Sequence, residues 1–161
     1  MNKQEITEYL LDNDGSTRDI TFTPANLENL TIFLSSFLSY YDTGELNDQD
    51  GESIQIEVDS VLALLTSRNE GCIHGQLKAR DALISQVYLF VDWPEESGYA
   101  IEISFFPEDL NANFSLEQFM VQLDEWWKSL DSEEVFVRYE NASWDYYDPK
   151  GLGVFYHARR R

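Results

Sequence analysis

The chain has 161 residues, 43% hydrophobic and 14% aromatic, and its 30 acids against 11 bases give a formal net charge of -19. That size and apolar content suit one domain with its own core and exclude a disordered acidic tail. The charge repels nucleic-acid backbones and anionic membranes and favours a basic protein partner.

The stretch before residue 12 has no basic and apolar leader pattern, the lone Cys72 cannot close an intramolecular disulfide, and the apolar runs are too short to span a bilayer. A cytoplasmic protein is expected, with no membrane association. Along the chain, Tyr9 and Leu11, then Ile20 and Phe22, alternate around the polar turn Asn13-Asp14-Gly15-Ser16, which predicts a β-hairpin. Thr23 and Pro24 read as an N-cap and first helical residue, followed by Leu27, Leu30, Phe33, Leu34, Phe37, Leu38 and Tyr41 at helical spacing. Residues 42–53 read as a polar loop. Ile54, Ile56 and Val58 alternate as in a strand, and Val61 to Leu65 suits strand or helix.

The segment 84–93 is apolar on both faces, with Val87, Leu89 and Val91 on one and Tyr88 and Phe90 on the other, as in a central strand. Tyr99, Ile101, Ile103 and Phe105 alternate after it, with Glu102 and Ser104 on the opposite face. Ser115 and Gln118 have capping-box spacing ahead of the stripe Leu116, Phe119, Met120, Leu123, Trp127 and Leu130, which leaves Trp126 at the stripe's edge. Val135, Val137 and Tyr139, then Val154 and Tyr156, predict two closing strands. The expected fold is α+β: a single domain over 1–158, a largely antiparallel sheet with two main helices packed on one face, and a solvated basic tail at 159–161.

Chemistry is sparse. With Gly51 at the sixth position of a calcium-loop pattern, Asp48, Asp50 and Glu57 occupy positions three, five and twelve, but Leu46 stands at position one, where a carboxylate is needed. Cys72, His74 and His157 are too few for a zinc site, and no nucleophile-elbow, phosphate-loop, dinucleotide or zinc-protease motif occurs. No cofactor and no metal is expected. Glu140 with Asp145 or Asp148, beside Trp144, Tyr146 and Tyr147, offers the carboxylates and stacking rings of a carbohydrate-active enzyme or sugar-binding module, an alternative to pure binding.

Two stretches, "YLLDNDGSTRDITF" and "EEVFVRYENASW" followed by "GLGVFYH", resemble small bacterial proteins of polymorphic and contact-dependent toxin systems, the immunity proteins. The resemblance implies a non-enzymatic binder that inactivates a cognate basic toxin, such as a nuclease. A nucleic-acid mimic that inhibits a DNA-binding protein would have the same composition. Loops on a rigid scaffold carry binding, so the most acidic and the most aromatic loops are the expected partner contacts: Asp48, Asp50 and Glu52, with Trp144, Asp145, Tyr146, Tyr147 and Asp148.

Overall fold

The computed structural model describes residues 2–93, 98–139 and 153–160. Its first element is a helix, α1 (Lys3–Leu11), where a hairpin strand was expected. The overriding signal is local. The Asn2 carboxamide oxygen accepts from the Glu5 amide at 2.9 Å, the Glu5 carboxylate accepts from the Asn2 amide at 3.0 Å, and Ile6 and Leu10 bury themselves one turn apart.

Only the second half of the expected hairpin is extended, as β1 (Arg18–Ala25). That strand runs through Thr23 and Pro24, so the cap of α2 (Leu27–Tyr40) is Asn26, whose side chain accepts from the Asn29 amide at 2.8 Å. Thr23 serves the sheet instead, its hydroxyl accepting from the Glu134 amide at 3.0 Å.

The expected polar loop contains β2 (Thr43–Asp48) and, after a tight turn, the two-residue β3 (Ser53–Ile54). The predicted alternation stops there, because Val58 opens α3 (Val58–Ser67), with Val61 and Leu65 buried. Next come β4 (Gly71–Lys78), β5 (Gln86–Trp93), β6 (Tyr99–Phe105), a short 3₁₀ turn (Pro107–Asp109), α4 (Leu116–Leu130), β7 (Glu134–Tyr139) and β8 (Val154–Arg159).

Among the described residues, the strands form one eight-stranded sheet in the order β3-β2-β4-β5-β6-β1-β7-β8, every pair antiparallel. The fold class is α+β, as expected, and among the described residues the two main helices, α2 and α4, are accompanied by the shorter α1 and α3. Ile20, Phe22, Leu46, Ile73, Leu89, Val91, Ile101, Ile103, Val135 and Val137 line one face of the sheet and form the core with the helices. Ring contacts show the packing: Phe105 of β6 lies 6.1 Å from Phe119 of α4, and Tyr9 of α1 lies 5.9 Å from Tyr139 of β7.

Helix α4 buries Phe119, Leu123, Trp126 and Leu130, so Trp126 and not Trp127 belongs to the stripe. Spacings of four, three and four residues keep these side chains on one line. Trp127 sits at the margin, where its indole N–H donates to the Ser132 carbonyl at 2.8 Å and the Arg160 guanidinium lies 5.0 Å from its ring centre.

Arg159, expected in a solvated tail, is the last residue of β8 and pairs with Glu133, while Arg160 pairs with Asp131 at 2.5 Å. No helix among the described residues is long and apolar enough to cross a membrane.

One residue links both ends of this design. Arg18 is fully buried on the core face of β1, its guanidinium 4.0 Å from the Tyr139 ring centre. Its Nε donates to the Tyr9 carbonyl at 2.7 Å and its Nη2 to the Asp12 carbonyl, which satisfies backbone oxygens left open at the end of α1.

Candidate functional site

The helices all belong to the core side, so that among the described residues no helix covers the opposite sheet face. Alternation along each strand sends every second side chain there, and the pairing register aligns them in rows. One row runs Asn47, His74, Phe90, Glu102, Thr21, Phe136, His157 across seven strands. A second runs Glu45, Gln76, Tyr88, Ser104, Asp19, Arg138. Aromatic, acidic and basic groups thus lie side by side on one surface.

The middle of this face holds a hollow of about 400 Å³ lined by Thr17, Asp19, Tyr88, Phe90, Phe106, Glu102, Ser104 and Arg138. Asp19 is buried, and its Oδ1 accepts from the Ser104 hydroxyl at 2.7 Å and the Thr17 hydroxyl at 3.0 Å. Glu102 is held loosely: Oε2 lies 3.5 Å from the Arg138 guanidinium and Oε1 3.3 Å from the Ser104 hydroxyl. Burial, reinforced by the charge of Asp19, raises the Glu102 carboxyl above its usual range, and the Arg138 guanidinium opposes that rise.

The rings form the other wall. Phe90 is 42% exposed, unusual for a phenylalanine in the middle of a sheet, and Tyr88 meets Phe106 edge to face at 6.1 Å. Further along the first row, the His157 imidazole stacks on Phe136 at 4.5 Å, and its Nε2 is 2.6 Å from the Glu134 carboxylate.

Of the residues expected to contact a partner, the described ones, Asp48, Asp50 and Glu52, do not line this hollow. Asp48, Asp50 and Glu52 share the turn between β2 and β3, at the sheet's far edge, but they do different work. The buried Asp48 carboxylate accepts from the amides of Asp50 at 2.9 Å and Glu52 at 3.0 Å, so it builds the turn. Asp50 is exposed and pairs with Arg68 at 3.5 Å, and Glu52 is exposed. Leu46, first in the calcium-loop pattern, is core, and Glu57 is the N-cap position of α3. Trp144, Asp145, Tyr146, Tyr147 and Asp148, and with them Glu140, lie outside the described residues. Cys72 lies on the helix-free face, and burial, then Asp92 and Asp48, push its thiol up, which disfavours the nucleophilic thiolate.

The hollow escaped the sequence reading although its signal was present. Tyr88 and Phe90 form the second apolar face of β5, and Glu102 and Ser104 share that face on the neighbouring strand. Linking them to Asp19 and Arg138 needs the position of β1 in the sheet, which local pattern does not encode.

No protein-family model matches this chain, and no curated protein matches it in sequence. Among solved structures, it is similar to a chain in the crystal structure of the toxic C-terminal tip of CdiA from Pseudomonas aeruginosa in complex with immune protein. The TM-score is 0.62 at 17% sequence identity, over 88% of this chain and 94% of the other. At that identity the likeness is one of fold.

Proposed function

We propose that this chain is an immunity protein: a non-enzymatic binder that forms a one-to-one complex with a cognate toxin domain and blocks its activity. The observation that carries the reading is the fold shared, nearly end to end, with a chain of a toxin and immune-protein complex. The net charge of -19 and a helix-free face bearing exposed aromatic and acidic groups support it. A surface of that character suits a basic toxin such as a nuclease, whose active site must itself attract phosphates. The cytoplasm of the protected cell is the proposed location.

Co-expression tests this reading. The chain alone should be harmless, and it should restore growth to cells producing the toxin domain encoded beside it and co-purify with that domain. Growth arrest by the chain alone would place it on the toxin side of such a pair. Failure to protect, with no complex formed, would remove the immunity reading.

A further inference from the structure

The hollow on the helix-free face is built for more than general acidity. Three rings, Tyr88, Phe90 and Phe106, stand against the Glu102 carboxylate on β6. The two contacts Glu102 makes, at 3.3 and 3.5 Å, are longer than good charge-assisted hydrogen bonds, so its oxygens retain accepting capacity. The carboxylates of Asp19 and Glu102 line the hollow together with the Arg138 guanidinium. Beside Glu102 in the same row, the Thr21 hydroxyl is 4% exposed and has no hydrogen-bond partner among the described residues. A buried hydroxyl in that state is uncommon.

We infer that this hollow receives an arginine side chain of the partner, its guanidinium stacked on the Phe90 and Tyr88 rings and bonded to Glu102. The inference rests on the immunity reading for the partner's identity but not for the chemistry. A guanidinium fits where an ammonium does not: it is planar, weakly hydrated, stacks on aromatic faces and donates two parallel bonds to one carboxylate. The raised proton affinity of Glu102 agrees, since a buried carboxylate gains most from an incoming cation.

The test uses N-acetyl-arginine amide as probe and nuclear magnetic resonance of the labelled aromatic side chains. Saturable shifts at Tyr88, Phe90 and Phe106 are expected at millimolar probe, at least fivefold weaker with the lysine analogue, and reduced tenfold or more in both Glu102→Gln and Phe90→Ala. Phe90 is exposed enough for its alanine variant to keep the fold, which guards against a collapse in the other. Absence of shifts at these rings, or equal shifts with the lysine analogue or in both variants, overturns the arginine assignment. With the toxin domain itself, both variants should raise the dissociation constant thirtyfold or more. A wild-type chain that binds no toxin sinks the immunity reading and leaves the arginine arm standing, whereas tight toxin binding unchanged by either variant sinks the assignment alone.

Discussion

Two adjacent tryptophans of α4 have unlike surroundings. Trp126 is 7% exposed, and its ring meets Phe37 of α2 at 5.7 Å, so it joins two helices, whereas Trp127 anchors only the corner around Ser132. Trp126→Ala should lower unfolding free energy by about 3–5 kcal/mol, the usual loss for an emptied aromatic site. Trp127→Ala should lose less than half of that, chiefly one hydrogen bond and partial burial; urea titrations of the two variants give the ordering. Two buried tyrosines set the alkaline limit. Burial holds the Tyr139 hydroxyl up to about 12, against the opposing charge of Arg18, and burial pushes Tyr41 higher still, where its hydroxyl donates to the Ile84 carbonyl at 2.7 Å. In the unfolded chain both ionise near the ordinary 10.0, so above that pH the unfolded state binds fewer protons and gains relative to the folded one. Stability should therefore hold below pH 10 and fall through the interval up to the folded-state values, with a shallower fall in Tyr41→Phe.

Among the elements, the pair β2 and β4 depends on two glycines. A Cβ on Gly75 would lie 1.9 Å from the Glu45 carbonyl oxygen, and one on Gly44, whose φ is +124°, would lie 2.0 Å from that of Gln76. Neither obstacle is a flexible side chain, so Gly75→Ala should force β2 away from β4. Hydrogen exchange should show lost protection in β2, β3 and the adjoining edge of β4, with β5 and β6 keeping theirs. The same pair shows why parts of the fold were hidden in the sequence. Helices α2 and α4 and strands β5 to β8 carry strong apolar periods and were legible. Strand β2 has one core apolar residue, Leu46, amid exposed Thr43, Gly44 and Glu45, and is made a strand by its neighbour's backbone. Helix α1 did leave a signal, the Asn2 and Glu5 capping box, but Tyr9 and Leu11 mimicked strand alternation beside a turn. The acidic turn was legible as acidic. That Asp48 is spent on its own backbone depends on side-chain direction, which composition does not record.

For the whole molecule, the excess of negative charge should govern how a partner arrives more than how long it stays. Raising salt from 50 to 500 mM should slow association with the proposed basic toxin partner by tenfold or more and change dissociation much less, which stopped-flow measurements resolve. An association rate indifferent to salt would show that charge has no part in encounter. The strand order has a consequence in time. The first strand of the chain lies between β6 and β7, both drawn from its second half, so β1 pairs with no strand until β6 has emerged. A ribosome partway through the message holds an apolar strand with both edges open and an arginine, Arg18, whose ring partner Tyr139 has not been made. On the immunity reading proposed above, only finished chains protect. A cell relying on them would need a stock in place before the threat arrives, and that stock's turnover would set how long immunity outlasts synthesis.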